Sequence, residues 1–592
     1  MKRFQIYCMH SLRTYRSMPS LQRGGFCMFL FGTFRYLSYF CIRMKMISRY
    51  KGVGVSVLFG IAIFLFWYIS YPHALSYQEQ YQLFLWTSGY LLKRSSIPGG
   101  FADWLGEFFV QFYYIEWLGA LLLALMYVLL QRVTLFAMWR VSSNLKSVQP
   151  SSYVFSFIPS ILLLWLMGDP SVLLGYPIAM ILNLFFYGCN PTKGWKGICC
   201  DIVVVPILYW ATGALAWLYI VLRLVQYGWK RMWIIPLLML SMQLLVYKYI
   251  LTQWQLKTIF QPMIYYRIPL MIPTLMLVIP VTIAILVLVG RLAILKRYDK
   301  IACFLGIATF FVFGWLGMTK GYDKEMYELI RQDYLVRNER WDDVINRAQT
   351  YQVRTAFSSV CVNLALAERR QLADRMFDFY QSGEDALIMP RVRDLTSMLP
   401  TAEVFWHLGL VNSAQRYMFD TQESILNGKK SGRCTKRIAE CMLVNGHYKP
   451  AAKQIDLLKK SLFYKDFGKE LETMLYNDSK INSHPLYGKL RKYRYKENYL
   501  FSYAEIEKMM GLLFLNNPEN RIALDYFMGQ MLLKGDLQGF QQYMGWVQKY
   551  GGYQNMPVGY QDVYMCIQRQ GNVPNSPYAA YAKRMMAERG MQ

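Results

Sequence analysis

The sequence predicts an all-α protein, in which a polytopic helical membrane domain of about nine spans is followed by a soluble helical-repeat domain. Composition is the first reason, because 55% of the 592 residues are apolar and only 17% are charged, against about 25% charged in soluble proteins. The second reason is the distribution of charge. Up to Met318 the chain has 27 Lys/Arg and 7 Asp/Glu, and after it 38 and 30. The third is the helical periodicity of the second half.

The net charge of +28 does not indicate nucleic-acid binding. Basic residues in an apolar half mark cytoplasmic loops, so we expect membrane lipid, and no nucleic acid, as a partner. The composition also excludes a disordered chain, a disulfide-dense secreted chain and an ordinary cytosolic enzyme.

Residues 1–51 form a basic N-terminal extension. The first 43 of them contain seven Lys/Arg, and the apolar stretch 24–42 is interrupted by Arg35. Two interpretations remain open for this segment. Either the reading frame has been extended too far upstream, or the segment is an interfacial or additional helix.

Residues 52–318 form the predicted membrane domain, in which runs of about 17–25 apolar residues are long enough to span a bilayer. A basic flank before the first run places the N-terminus in the cytoplasm. Splitting residues 198–227 near 211–213 keeps every basic loop cytoplasmic, and an odd number of spans then places residues 319–592 in the periplasm of an inner-membrane protein. The nine predicted spans are 52–71, 112–130, 151–168, 171–189, 198–212, 213–227, 232–250, 270–289 and 301–318.

Residues 72–111, called the acidic loop below, form the predicted periplasmic connection between the first two spans. The loop contains Glu79, Asp103 and Glu107, which are three of the seven acids before Met318. A helix that starts at Gly100 and runs into the second span places two of them one turn apart on one face. Carboxylates at the membrane boundary are costly unless they are used or paired. All three are therefore candidate catalytic residues; the alternative is that they solvate the outer face of an interfacial helix.

This layout of a first span, a long outer loop with amphipathic helices and an acid is similar to that of membrane glycosyltransferases that use polyprenyl-phosphate sugars. In those enzymes an acid of the loop acts as a base or binds a metal ion, and Glu79 is its nearest positional equivalent here. The resemblance implies a lipid-linked glycan as substrate. The loop has no paired Asp-Glu or Asp-x-Asp motif.

Residues 319–592, called the tail, have the pattern of a helical repeat. A glycine, one residue, a large apolar residue, two residues and a packing residue recur from Gly409, Gly446 and Gly535. Glycine permits the left-handed turn that reverses the chain between two helices. The spacing resembles tetratricopeptide-like repeats of about 34 residues, and the alternative is a generic helical bundle. Arrays of this kind present a groove to a protein or peptide, and Trp406 and Tyr448 are the candidate partner-binding residues.

Cysteine and histidine spacing predicts neither a metal site nor a disulfide framework. The 11 Cys include no CxxC pair, and the five His are scattered. The sequence also lacks a Walker loop, a GxSxG elbow, an HExxH motif and a Rossmann fingerprint. It predicts no cofactor and leaves open whether the protein is an enzyme.

Over about residues 44–592 the chain resembles an uncharacterised family of membrane proteins from Bacteroides-type bacteria, a domain of unknown function. The resemblance implies an envelope location and this architecture, and assigns no activity. The segments that carry it are Glu79–Phe84, Pro98–Gly100, Phe108–Gly119, Phe405–Leu410 and Lys436–Tyr464.

Three functional hypotheses follow. The leading one is an integral inner-membrane protein whose periplasmic tail binds a partner in cell-envelope or surface-polymer biogenesis. The second is a glycosyltransferase-like membrane enzyme that uses a lipid-linked sugar and an acid of the acidic loop. A transporter is the least supported, because the sequence shows no inverted repeat and no deep paired charges.

Overall fold

The computed structural model describes most of the chain from residue 49 onward. Its described residues form α-helices with short 3-10 and π turns and contain no strand, which confirms the predicted all-α class for this part of the chain. They are residues 49–141, 149–190, 195–228, 233–262, 272–291, 298–392, 396–425, 428–495, 502–569, 573–588 and 590.

The first half contains 13 α-helices within the described residues. A π turn at Phe66–Ser70 extends the first helix, and a 3-10 turn at Gly213–Leu215 separates the helix that ends at Thr212 from the one that begins at Ala216. The helices are α1 (Arg49–Leu65), α2 (Pro72–Gln80), α3 (Ser88–Ser95), α4 (Gly100–Val110), α5 (Glu116–Val141), α6 (Pro150–Phe155), α7 (Ile158–Leu166), α8 (Gly175–Cys189), α9 (Trp195–Thr212), α10 (Ala216–Tyr227), α11 (Ile234–Tyr249), α12 (Leu275–Arg291) and α13 (Asp299–Lys320).

Four helical stretches of the described residues are long and apolar enough to cross a membrane, namely Gly52–Ser70, Glu116–Val141, Trp195–Tyr227 and Asp299–Lys320. Shorter apolar helices of 10–17 residues accompany them. By length and composition, these helices support membrane association. The shorter helices of the first half are Pro150–Leu166, Gly175–Cys189, Ile234–Tyr249 and Leu275–Arg291.

The stretch Trp195–Tyr227 is a hairpin and not one straight rod. Nη2 of Arg223 lies 2.8 Å from Oδ2 of Asp201, whereas a continuous helix would separate residues 22 apart by about 33 Å along its axis. The chain reverses at Gly213, whose φ of +65° is in the left-handed region. The reversal lies where the sequence predicts a split.

The prediction of one continuous helix from Gly100 into the second span is wrong. Helix α4 ends at Val110, a 3-10 turn follows, Ile115 is extended, and α5 begins only at Glu116. The physical reason is a close approach within this corner, where a Cβ on Gly119 would lie 2.9 Å from the Cα of Tyr113. The chain therefore folds back on itself before the long apolar helix starts.

The tail contains 16 α-helices within the described residues. They are α14 (Lys324–Arg337), α15 (Trp341–Thr350), α16 (Ala356–Glu368), α17 (Leu372–Arg375), α18 (Met398–Leu408), α19 (Val411–Ser424), α20 (Gly432–Val444), α21 (Tyr448–Lys459), α22 (Lys465–Glu472), α23 (Asp478–Ser483), α24 (Pro485–Tyr493), α25 (Ile506–Asn516), α26 (Arg521–Lys534), α27 (Leu537–Lys549), α28 (Val558–Gln568) and α29 (Pro577–Glu588).

Left-handed corners join these helices, as the glycine pattern predicts. Gly409, Gly446 and Gly535 have φ of +84°, +77° and +80°, and each stands two residues before the next helix begins. Four non-glycine residues take the same position before the next helix, with φ between +54° and +59°, namely Glu339, Arg370, Tyr476 and Asn575. Most of the seven corners join two tail helices that pack directly on each other and so form helical hairpins.

The described residues bury two separate hydrophobic clusters. One draws on the apolar helices and extends into the start of the tail, where Tyr322 and Tyr327 belong to it. The other is the core of the tail, and it includes Tyr77, Tyr81 and Leu83 of the acidic loop. The acidic loop is therefore shared between both halves of the protein.

Candidate functional site

The acidic loop and the tail meet along an extended segment of the loop. The backbone N–H of Leu83 donates to the carbonyl of Lys430 at 2.7 Å, and that of Trp86 donates to the carbonyl of Lys460 at 2.9 Å. Oγ of Ser431 donates to the carbonyl of Gln80 at 2.5 Å. Backbone hydrogen bonds thus fix the loop on the tail and place the loop's acids beneath tail residues.

Asp103 and Glu107 lie on one face of α4, as predicted, and a lysine of the tail binds both. Nζ of the buried Lys429 lies 2.7 Å from Oδ1 of Asp103 and 3.1 Å from Oε1 of Glu107. Arg94 pairs with Glu107 at 2.6 Å, and the hydroxyl of Tyr90 donates to the same carboxylate. Two acids and two cations form a cluster without net charge, which lowers the cost of burying each of them.

Glu79 lies apart from this cluster, buried under the tail. The hydroxyl of Tyr464 donates to both oxygens of its carboxylate, at 2.9 and 3.2 Å. Burial raises the pKa of Glu79 to about 7, although Arg337 and the hydrogen bond from Tyr464 act in the opposite direction. This carboxyl therefore titrates near neutral pH inside the contact between loop and tail.

A second charged cluster lies next to the loop within the tail. Arg433 donates to Oε1 of Gln80 at 3.1 Å, to Asp333 at 2.7 Å and to Glu403 at 2.9 Å. Burial opposes the ionisation of Glu403, but Arg437 and Arg433 hold its pKa at about 2. Arg433 thus bonds both the acidic loop and two helices of the tail.

Sequence reasoning missed Lys429, Arg433 and Tyr464 as members of this site. The signal in the sequence is the short basic run at residues 429–433. A basic run between helices is usually a solvated turn, so the run does not by itself indicate buried ion pairs. Each of these residues has a partner that is at least 100 positions away along the chain.

Asp103 also lines a cleft, which opens between the start of α4, helix α8 and the turn at Gly213. Its walls come close because glycines meet there, as at Gly175, where a Cβ would lie 3.0 Å from the Cα of Asp103. Glu79 and Glu107 do not line it. Within the described residues, no group of three or more His, Cys, Asp or Glu is placed to hold a metal ion.

The two predicted partner-binding residues differ in exposure. Trp406 has no exposed surface, and the guanidinium of Arg437 lies 4.2 Å from its ring centroid. A partner cannot contact Trp406 directly, and this corrects its predicted role. Tyr448 is partly exposed; its hydroxyl donates to Asp478 at 2.5 Å, and its ring lies 5.0 Å from that of Tyr476.

A buried ion pair lies between α9 and α10, where the sequence suggested no deep paired charges. Arg223 donates to Oδ2 of Asp201 from Nε at 2.9 Å and from Nη2 at 2.8 Å. Oδ1 accepts from Asn190 at 2.8 Å and from the hydroxyl of Tyr219 at 2.5 Å. Both carboxylate oxygens have their partners, so the pair joins the helices of the hairpin.

Comparisons with known proteins place the chain in a family. No curated protein and no solved structure matches it. A family model described as a family of unknown function, DUF6057, matches residues 48–589. The match extends through the apolar helices, the acidic loop and nearly all of the tail, so the chain belongs to this family of unknown function, DUF6057.

Proposed function

We propose that the chain is an inner-membrane protein with nine spans, a cytoplasmic N-terminus and a periplasmic tail that binds a partner in the cell envelope of Bacteroides-type bacteria. The partner would be a protein or peptide that acts in envelope or surface-polymer biogenesis. The observation that carries the proposal is that the acids of the acidic loop bind the tail, so that loop and tail form one platform outside the apolar helices.

Contacts between helix ends support the nine-span topology. At one end, the hydroxyl of Tyr153 donates to the carbonyl of Gly52 at 2.5 Å, and Oγ of Ser151 donates to Asp299 at 2.5 Å. These contacts bring together the starts of α1, α6 and α13. Along the chain, the basic loops predicted to be cytoplasmic connect α5 to α6, α8 to α9, α10 to α11 and α12 to α13.

The opposite helix ends lie beside the acidic loop. The backbone N–H of Gly99 donates to the carbonyl of Trp210 near the end of α9 at 2.9 Å. The hydroxyl of Tyr327 in α14 donates to the carbonyl of Gly168, after the end of α7, at 2.9 Å. Successive helices thus run in alternating directions between the two ends. This alternation supports the assignment of both the loop and the tail to the periplasm.

The helical hairpins of the tail support a tetratricopeptide-like array, in which each unit packs on its neighbour and leaves a continuous outer surface. Tyr448 and Tyr476 provide the partner surface that we favour. Tyr476 is 66% exposed and has φ of +58°, a conformation that costs energy in a non-glycine residue. Arg491 adjoins both Tyr448 and Asp478, and Tyr and Arg are enriched among residues that dominate binding energy.

Substitution of the exposed tyrosine tests the partner proposal. Tyr476→Ala in the full chain should reduce surface-polymer assembly in a strain that lacks the native copy, while the membrane abundance of the protein stays unchanged. Tyr351→Ala is the matched control, because Tyr351 is also an exposed tail tyrosine, at 43%, and lies on a different segment. Equal complementation by both variants would remove this surface from the proposal.

A second candidate function is a glycosyltransferase-like enzyme that uses a lipid-linked sugar. The observation that favours it is the position of Asp103, which reaches an open cleft beside the turn at Gly213. A carboxylate in such a cleft can act as a general base or bind a cation. Lys429 already binds this carboxylate. Catalysis would therefore require Lys429 to release Asp103 when a ligand binds.

The two candidate functions are separated by comparing Asp103→Asn with Lys429→Met. For an enzyme, Asp103→Asn abolishes complementation while the tail stays resistant to limited proteolysis at residues 428–431. If loop and tail instead form a partner-binding platform, Lys429→Met exposes these residues to protease and reduces complementation. Asp103→Asn then retains most of the complementation. Glu79→Gln and Glu107→Gln extend the comparison to the other two predicted acids.

A further inference from the structure

A corner of the tail lies against the point where a long apolar helix begins. This corner, residues 461–464, follows α21 and precedes α22. The ring of Phe463 stacks on that of Tyr114 with centroids 5.0 Å apart and planes 15° apart. Tyr114 stands two residues before α5, the longest of the unbroken apolar helices.

The surface of this corner is apolar and exposed. Leu462 is 46% exposed, and Trp86, whose backbone bonds Lys460 of the tail, is 54% exposed. Tyr114 and Trp117 are each 52% exposed. Together these residues form one patch, called the aromatic corner, that combines the acidic loop, the start of α5 and the tail.

The aromatic corner continues directly into the outward face of α5. Trp117, Leu121, Leu125 and Leu129 follow one another at intervals of four residues, and all four are exposed. A stripe of this spacing lies along one side of a helix. If α5 crosses the bilayer, this stripe faces lipid, and the patch at its end lies at the level where Tyr and Trp concentrate in membrane proteins.

Lysines flank the apolar residues of the corner on both sides. Lys460, whose Nζ lies 2.5 Å from Oδ2 of Asp456, precedes Leu462, and the exposed Lys465 follows Tyr464. Lysine side chains beside an apolar surface extend their ammonium groups toward lipid headgroups while their methylenes stay in the apolar layer. Apolar and aromatic residues bordered by lysine fit the chemistry of a bilayer surface better than that of a soluble partner.

We infer that the aromatic corner is a lipid-binding surface, at which Leu462 and Phe463 of the tail enter the headgroup and acyl boundary of the outer leaflet of the inner membrane. The inference rests on the proposed function, in which α5 spans the membrane and the tail lies in the periplasm. It adds a direct contact between the tail and the bilayer to the covalent connection of the tail with the apolar helices. This contact would fix the tail's height and tilt above the membrane.

Site-specific photo-crosslinking of the full chain tests this contact. The variant Leu462→p-benzoylphenylalanine is placed in nanodiscs of phosphatidylethanolamine and phosphatidylglycerol, irradiated, and analysed by mass spectrometry for lipid adducts. The same substitution at Leu121 reports on α5 itself. The same substitution at Val558, which is 68% exposed on α28, reports on a tail surface away from the corner.

The expected result is a lipid adduct at positions 462 and 121 and none at 558. An adduct at 121 without one at 462 overturns the lipid-binding corner and leaves the spanning helix in place. No adduct at 121 contradicts the proposed membrane span, and the inference fails with it. Equal adducts at 462 and 558 overturn the corner as a specific contact. A protein adduct at 462 in cells, with no lipid adduct in nanodiscs, assigns the patch to a protein partner instead.

Discussion

At the scale of single residues, the acids of the acidic loop are held by opposite charges and hydroxyls of distant segments. Lys429 pairs with Asp103 and Glu107, and the hydroxyl of Tyr464 donates to Glu79. A buried ion pair contributes little when complete but leaves an unpaired charge when one partner is removed, which is costly. The acids of this loop therefore connect the two halves of the chain.

Glu79 gives this contact a defined pH dependence. Its pKa rises from the usual 4.5 to about 7 on folding, so the folded chain binds this proton more tightly than the unfolded chain. The group stabilises the fold fully below pH 4.5, and this contribution is lost as pH rises toward 7. A shift of this size corresponds to roughly 3 kcal/mol.

We therefore expect Glu79→Gln to be more stable than the native chain at pH 8 and to lose this advantage toward pH 5. Thermal unfolding of the detergent-solubilised full chain at both pH values measures the difference. Tyr464→Phe should strengthen the pH dependence, because the hydrogen bond from Tyr464 lowers the pKa of Glu79. If the difference in thermal midpoint between the native chain and Glu79→Gln stayed constant from pH 5 to pH 8, titration of Glu79 would not affect stability.

At the scale of secondary-structure elements, the fold depends on reversals between helices. The tail uses residues in the left-handed region two positions before the next helix, and three of the seven are glycine. The hairpin α9–α10 uses Gly213 for the same purpose and adds the ion pair of Asp201 and Arg223. Backbone conformation sets these turns, and side-chain pairing then holds the helices together.

Two alanine substitutions separate backbone conformation from packing. Neither Gly446 nor Gly545 has an atom within 4 Å of an added Cβ, but only Gly446 has a positive φ. Gly446→Ala should destabilise the protein by about 1–2 kcal/mol, because an L-residue is strained in the left-handed region. Gly545→Ala, inside α27, should stabilise it by roughly 0.5–1 kcal/mol. Thermal unfolding measures both, and equal effects would refute the corner assignment.

The hairpin α9–α10 should depend strongly on its ion pair. Asp201→Asn leaves Arg223 buried without its anion, and loss of one partner of a buried pair costs on the order of 3 kcal/mol. We expect a lower thermal midpoint and reduced membrane abundance. The double variant Asp201→Leu with Arg223→Met should recover much of both, because it removes both charges together. A double variant less stable than Asp201→Asn would show that the charges have a further role.

At the scale of the whole molecule, the acidic loop joins two hydrophobic cores. Tyr77, Tyr81 and Leu83 pack in the core of the tail, although they lie between the first two long apolar helices in sequence. Tyr322 and Tyr327 pack in the other core. Each half contributes residues to the other, so the tail is held at a fixed place on the apolar helices.

The proposed topology predicts opposite results for two reporter fusions. A reporter active only in the periplasm should be active when fused after Met318 and silent when fused after Arg231. The reason is that basic loops remain in the cytoplasm and that an odd number of spans separates them from the tail. A silent Met318 fusion together with an active Arg231 fusion would reverse the topology, and with it the compartment of the acidic loop.

The sequence by itself determined the helical class, the division into an apolar and a charged half, and the left-handed corners at glycine. Each depends on local properties, namely hydrophobic periodicity, the length of apolar runs, and the freedom of glycine to adopt positive φ. It also placed Asp103 and Glu107 on one helix face. These features are determined by residues within a turn or two of each other.

Only the tertiary structure decided which acids are paired and which candidate residues are accessible. Lys429 reaches Asp103 across 326 positions, and Tyr464 reaches Glu79 across 385. Trp406 and Tyr448 both lie within three residues of a corner glycine, yet Trp406 is enclosed and Tyr448 is partly exposed. Pairing and burial depend on how distant segments pack, and a single sequence carries no local signal for such contacts.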